Sequence, residues 1–392
     1  MRVLWVSDAP YLNTAYAKVT LYVAKMLIED GHEVVVLPFA GPVQGGLGRE
    51  VLGAEVLPGI RNPQDIPYWF ARRRCDLAVI LKDPYAVPGI GPSPMFWVAY
   101  FPVSEEPLPE DFYSQLYSAS AVMTPSRFGV RMIAKHCSFC RDRVYYAPHG
   151  VDTDVYRPLD EPKERLREYL GFRRSDVVVG IVAMNRERKV IPNQLEAVKL
   201  FAENNRDLRV GLYIHSAVGP DNLAFGGWQL DKVVKTMGLR DLLSEVRFPD
   251  QRQYILGFTE AEMNVLYNAL DVLLEMSTEG FGMPTLEAQA AGTPVVTVEH
   301  GAGPELNFLG LNAKVGGKVY TLRGSWWAAP DPESGAEMIG RAVELSQDGR
   351  VRRLLHAKSL AYSWDRVYRE FLRPVLDKVS SEVVPHRVGG GA

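Results

Sequence analysis

The chain has 392 residues, a formal net charge of −3, an apolar fraction of 47% and a charged fraction of 23%. These are the values of an average soluble globular protein and exclude disordered, collagen-like and coiled-coil classes. The length exceeds what one hydrophobic core usually fills, so two domains are expected, and the missing basic excess argues against a chain built to wrap nucleic acid.

In chain order, "MRVLWVSDAP" comes first. Its apolar run, broken at Ser7 and Asp8, is too short for a secretory core and reads as an entering β-strand. The longest strongly apolar run, Met95 to Phe101, falls far below the roughly 18 residues of a membrane span, so a cytoplasmic location is expected. "RVLWVS", "EVVVLPF", "DLAVILK" and "FWVAYF" are short β-rich runs, and "KVTLYVAKMLIEDGH" has helical spacing and a glycine stop at Gly31. Such alternation predicts βαβ units and a parallel sheet with helices on both faces. Cys137 and Cys140 form a C-x-x-C in "KHCSFCRDR", with only His136 nearby and Cys75 the one other cysteine, and read as two ordinary thiols at a helix end.

From "VVVGIVAM" the α/β pattern restarts and runs through "NQLEAVKLFAENN", "LRVGLYIH", "AEMNVLYNA", "DVLLEM" and "PVVTV". The expected organisation is a first domain over 1–156, a charged linker over 157–172 punctuated by Pro158, Pro162 and Gly171, and a second domain over 173–360. The stretch after Gly316 reads as irregular. A terminal helix over 361–380 is expected to pack back on the first domain, and 381–392 to be a disordered tail. The fold class is α/β with two Rossmann-like, doubly wound domains facing across a cleft, where ligands bind beyond the carboxyl ends of the strands.

"STEGFGMPTLEAQAAGTPVV", Ser277 to Val296, sits at such a strand end. "DVLLEM" is the strand, Pro284 suits the first helical position, and Gly292 is a C-terminal stop. The helix start offers unpaired N–H groups and partial positive charge to an anion. Gly280 and Gly282 let the backbone approach a ligand closely. Glu279 and Glu287 flank this turn. Either glutamate alone is most often a solvated residue; ionised, both repel a diphosphate but accept hydrogen bonds from the hydroxyl-rich groups on either side of one.

"EGFGMPTLEAQAAGTPVV" resembles the E-x7-E signature of retaining glycosyltransferases with the GT-B fold, of the glycosyltransferase group 1, family 4-like type. "TPSRFGVRMI", "APHGVDTDVYRP", "NRERKVIPNQLEAV" and "SWDRV" fall in that family's order, so the resemblance covers most of the chain, most strongly from Thr124 onward. It implies that Glu279 hydrogen-bonds the transferred sugar, that Phe281, Gly282 and Met283, with Pro284 at the helix start, present backbone to sugar and phosphate, and that Glu287 holds the ribose hydroxyls. Lys189 matches the lysine that neutralises the diphosphate. Met184 stands where the family usually has its partner arginine, so Arg186 or Arg188 must supplement Lys189, and Arg186 is preferred.

The first domain departs from the family. Its glycine-rich loop is replaced by "APYLNTAYAKVT", with Ala15 and Ala17, and the histidine of many relatives by "YFPVSEEPLPEDF". Asn13 and Ser104, Glu105 or Glu106 are the candidates for the acceptor side. His149 and His215 stand open between structural hydrogen bonding and lining the cleft, and Asp152 reads as a turn or cap residue. The implied function is transfer of a hexose from a UDP- or GDP-sugar to a saccharide, lipid-linked or other hydroxyl acceptor with retention, with peripheral membrane contact left open. Another GT-B enzyme, such as a nucleotide-sugar epimerase or phosphorylase, and a non-catalytic sugar-binding protein are the alternatives. A dinucleotide oxidoreductase lacks its G-x-G-x-x-G. No Asp-x-Asp triplet ends a predicted strand, so neither metal nor cofactor is expected.

Overall fold

A computed structural model describes residues 1–39, 53–60, 62, 64–87, 90, 95–220 and 226–388. The chain divides into two compact units, Met1–Gly150 with the C-terminal chain from Trp364, and Val151–Ser363.

The first unit holds a seven-stranded sheet. Its strands are β1 (Arg2–Ser7), β2 (Glu33–Pro38), β3 (Glu55–Val56), β4 (Leu77–Leu81), β5 (Trp97–Tyr100), β6 (Ala121–Thr124) and β7 (Val144–Tyr146). Their order is β3-β2-β1-β4-β5-β6-β7 and every pairing is parallel. Val3, Leu4, Trp5 and Val6 are all fully buried, as a central strand covered on both faces requires. Helix α1 (Ala15–Glu29) begins where Thr14 accepts from the Ala17 N–H and stops before Gly31, whose φ is +81°. Trp364 stacks on Tyr22 with ring centroids 4.9 Å apart, and the Tyr368 hydroxyl donates to Asp30 at 2.7 Å, which fixes the returning C-terminal chain within this unit.

Two expectations are corrected here. Helix α2 (Arg127–His136) ends at Cys137, and the following 3-10 turn brings Cys140 back to a Cα separation of 5.3 Å; the two cysteines form a disulfide with both residues buried, not a pair of thiols. The terminal helix runs over Arg373–Val388, so most of the stretch read as a disordered tail is helical, and 389–392 lie outside the described residues.

The second unit holds a six-stranded parallel sheet in the order β10-β9-β8-β11-β12-β13. The strands are β8 (Val177–Val182), β9 (Val210–His215), β10 (Glu245–Arg247), β11 (Val272–Glu275), β12 (Val295–Val298) and β13 (Asn312–Ala313). Helices α3 (Ile191–Asn204), α4 (Glu260–Ala269), α5 (Met283–Ala290) and α6 (Pro332–Ser346) belong to this unit; Leu195, Val198, Phe201, Ile339 and Ala342 of α3 and α6 join its core.

The stretch after Gly316, expected to be irregular, is an antiparallel hairpin of β14 (Val315–Tyr320) and β15 (Trp326–Pro330), where Trp326 and Trp327 pair with Tyr320 and Val319. Residues 157–172, expected as a linker, lie in the second unit. The Arg157 and Leu159 N–H groups donate to Asn264 and Asn268 at 3.1 and 2.8 Å, and Lys163 and Arg167 both pair with the fully buried Asp271 carboxylate. A buried charge needs counter-charges, and charged residues of the stretch read as a linker supply them.

Each sheet reverses its strand order once at a central pair, β1 and β4 in the first unit and β8 and β11 in the second. Such switch points open crevices at the carboxyl ends of the strands. Among the described residues no helix is long and apolar enough to cross a membrane.

Candidate functional site

Beyond β8 the chain enters a 3-10 turn, Glu187–Lys189, and passes through Val190 into α3. Val190 has φ +41° and ψ +39°. A β-branched residue in the left-handed region is strained by roughly 1–3 kcal/mol and persists only where its surroundings over-determine it. Gln194, buried on α3, does so: its amide nitrogen donates to the Lys189 carbonyl at 2.9 Å, and its amide oxygen accepts from the Met276 N–H at 3.3 Å. The loop after β8 is thereby tied to the loop after β11.

Between these loops lies a charged cluster. Lys189 Nζ donates to Glu279 Oε1 at 2.6 Å and to Glu275 Oε1 at 2.8 Å. Arg188 Nη1 donates to Glu279 Oε1 at 2.8 Å and to the Thr278 carbonyl at 3.1 Å, and the Ser277 hydroxyl adds a bond to Glu279 Oε1 at 2.8 Å. Lys189, Glu275 and Glu279 are 7%, 3% and 7% exposed. Burial pushes the Glu279 carboxyl upward, but Arg188 and Lys189 outweigh it and hold the group well below the ordinary carboxylate range, whereas burial raises Glu275 against the pull of Lys189. The cluster therefore separates two carboxylates four residues apart into one that stays ionised and one that holds a proton more readily.

The backbone of Glu279 is clamped as well. Its carbonyl accepts from the Ala302 N–H at 2.9 Å, and Gly301, with φ +72°, passes so close that an added Cβ would lie 2.9 Å from that carbonyl oxygen. The chain then turns through Gly282, with φ +98°, into α5, which no side chain caps. Of the two glycines read as letting the backbone approach a ligand, Gly282 takes the left-handed conformation and Gly280 does not. The first N–H groups of α5 are thus offered beside the cluster, with Phe281 and Met283 buried and Pro284 in the first turn. Glu287 lies on the same helix, buried rather than solvated, and its Oε2 accepts from the Tyr267 hydroxyl of α4 at 2.8 Å.

The arginine preferred beside Lys189 was Arg186; the guanidinium that reaches Glu279 with Lys189 is that of Arg188. The reason is the 3-10 turn, which starts after the extended Arg186 and carries residues 188 and 189 together toward the β11 loop. Glu275 was missed. Its signal was visible as a charged residue closing the apolar strand "DVLLE", where both faces are covered. His215, at the end of β9, is enclosed by Tyr213, Tyr254 and Phe258, and burial lowers it to about 4. His149 is buried against the Tyr100 hydroxyl at 2.9 Å and lowered to about 3. Asp152 accepts from the Asp154 and Val155 N–H groups, a turn role.

In the first unit, Asn13 is exposed on the loop after β1, and Ser104 and Glu105 are half-buried on the loop after β5. The switch-point crevice holds residues that sequence reasoning passed over. Asp8 follows β1, Lys82 follows β4, and the two form an ion pair with little solvent contact. Thr14 donates to Asp8 Oδ2 at 2.8 Å, Tyr16 donates to Asp83 at 2.9 Å, and Lys82 Nζ lies 5.0 Å from the Tyr16 ring centre.

Residues 178–341 match the family described as Glycosyl transferases group 1. A D-inositol 3-phosphate glycosyltransferase of Gordonia bronchialis is 27% identical over 57% of this chain and 44% of its own length, so the chain spans less than half of that curated relative. Among solved structures, a glycosyltransferase from Rickettsia africae superposes with a TM-score of 0.70 over 98% of both chains at 14% identity. Anabaena HepE in complex with UDP-glucose superposes with a TM-score of 0.68 over 97% of this chain and 100% of that one, at 18% identity. The fold is GT-B, built of two Rossmann-like units.

Proposed function

We propose, from the group 1 glycosyltransferase domain over residues 178–341 as premise, that the protein transfers a hexose from a UDP- or GDP-sugar to a hydroxyl acceptor with retention of anomeric configuration. The observation that carries this reading is the Lys189–Arg188–Glu279 cluster beside the uncapped start of α5 at the switch point of β8 and β11. A departing diphosphate needs preorganised cations and N–H donors, and a transferred sugar needs a hydroxyl acceptor held in place. Lys189, Arg188 and the helix start supply the first, and Glu279 supplies the second. Glu287 takes the ribose hydroxyls. In the free protein Glu279 neutralises the two cations; on binding, the diphosphate replaces it as their counter-charge and frees its carboxylate for the sugar. The relative named for transfer to inositol 3-phosphate and the neighbour solved with UDP-glucose support the same class of donor and acceptor.

With two cations and a helix start assigned to the diphosphate, we propose that transfer needs no divalent metal and that the acceptor, saccharide, lipid-linked or other, enters from the side of Asn13, Ser104 and Glu105. The test is a screen of UDP-, GDP-, ADP- and TDP-sugars by thermal stabilisation, followed by turnover of the stabilising donor. A donor at about 100 times its dissociation constant adds roughly 2.7 kcal/mol to stability. Failure of all of them to stabilise the protein overturns the reading, inverted configuration in the first-formed product removes retention, and activity abolished by EDTA and restored by magnesium or manganese removes metal independence.

A further inference from the structure

Glu275 has no place in the division of labour just described. It closes β11, is 3% exposed, and commits Oε1 to Lys189 at 2.8 Å, while Oε2 is buried with no hydrogen-bond partner among the described residues. An unsatisfied carboxylate oxygen in a closed site is costly, and an ionised one without a counter-charge much more so. The groups that face it are Lys189 and Arg188 from the turn after β8, Glu279 from its own loop, and Tyr267 from α4. Lys189 is the only one of these cations within hydrogen-bonding distance of it, and Lys189 is shared with Glu279.

We propose that Glu275 is the proton-holding positioning residue of this site, and that a nucleoside diphosphate binds with uptake of a proton by its carboxylate. The inference rests on the reading of Lys189 as a diphosphate ligand. When the diphosphate draws on the Lys189 ammonium, Glu275 loses the cation that hydrogen-bonds it and gains an anion as neighbour. Protonation removes the conflict: the proton comes from solvent, one O–H bond forms on the carboxylate, and no other bond changes. The neutral acid then keeps a hydrogen-bonding contact with Lys189 through its carbonyl oxygen without opposing the phosphate charge. Burial already raises the proton affinity of Glu275 in the free protein, the direction this role needs.

The consequence is linkage. Where a whole proton is taken up, affinity for the diphosphate falls about tenfold for each unit rise in pH. Calorimetric titration of the full chain with UDP and with GDP, each in two buffers of different ionisation enthalpy, counts the protons directly. Working above about pH 7.5 keeps the nucleotide's own second phosphate ionisation, near 6, out of the count. Wild type should show net proton uptake on binding. Glu275→Gln, isosteric and permanently neutral, should bind with no uptake and with an affinity that no longer declines over the same range. Glu275→Asp should retain uptake, which a merely space-filling role does not predict. Enthalpies that do not depend on buffer in wild type overturn the inference, with or without a folded variant. Absence of binding by any nucleoside diphosphate overturns instead the functional reading on which it rests.

Discussion

The two units carry the same topological device, a parallel sheet that reverses strand order at its centre, and each places a lysine and a carboxylate in the crevice so formed. In the first unit the pairing is one to one, Asp8 with Lys82, and the adjacent helix start is already occupied, because Thr14 caps the Ala17 N–H and donates to Asp8. In the second unit one lysine serves two carboxylates, an arginine competes for one of them, and the helix start after Gly282 carries no side-chain cap. A closed pair is at its electrostatic minimum, whereas a shared lysine has partners to give up. On the function proposed above, that difference lets the second crevice exchange internal counter-charges for those of an anionic ligand.

Lys189→Ala breaks this comparison with the largest effect. It strands the buried Glu275 and leaves Glu279 with Arg188 as its cation, and removing one partner of a buried ion pair costs about 3–5 kcal/mol, measurable by urea unfolding near neutral pH. The pH dependence has a definite sign. Glu279 is held below its unfolded value, near 4.3, so its contribution is complete above that value and lost as pH falls through the folded value of about 2. Glu275, shifted upward, acts in the opposite sense and favours the folded state as pH falls. The stability gap between wild type and Lys189→Ala should therefore narrow between about pH 4 and pH 2, as Glu279 loses its charge. A gap that is constant over that range contradicts the pairing described here.

The two glutamates of the E-x7-E pair sharpen the picture inside the second crevice. A hydrogen bond to a charged group contributes about 1.5–3 kcal/mol, equivalent to roughly 10- to 150-fold in affinity. Glu287→Ala should weaken nucleoside diphosphate binding by that order. Glu279→Ala should leave that binding nearly intact, or improve it by freeing Lys189 and Arg188, while transfer drops sharply. Equal weakening of nucleoside diphosphate binding in both variants shows that the pair braces the loop instead.

Smaller effects belong to the first crevice. Lys82→Met, which leaves Asp8 without its cation, should cost about 1–3 kcal/mol in unfolding free energy. Stabilisation by nucleoside diphosphate should be unchanged, since that ligand is assigned to the second unit. Loss of that stabilisation refutes the contrast drawn between the crevices. The smallest expected effect is that of Ala17→Gly, which restores a glycine to the start of α1: about 1 kcal/mol of destabilisation from helix propensity and no new affinity for nucleoside diphosphates.

The sequence by itself determined the two α/β halves and the strand-to-helix turn at Ser277 to Val296. Each rests on a local signal, a period of apolar residues or a glycine and proline at fixed offsets, which a short window of chain contains in full. Only the tertiary structure placed Arg188 on Glu279 together with Lys189, because the 3-10 turn decides which side chains face the neighbouring loop. It likewise placed 157–172 in the second unit, where the buried Asp271 recruits charges that composition alone assigns to solvent. It joined Cys137 to Cys140 through the turn after α2, and it formed the β14–β15 hairpin in a stretch read as irregular. Glu275 is the instructive case. A lone glutamate at the end of an apolar strand is ambiguous in sequence, and its meaning depends on a lysine 86 residues earlier that only the pairing of β8 with β11 brings within 2.8 Å.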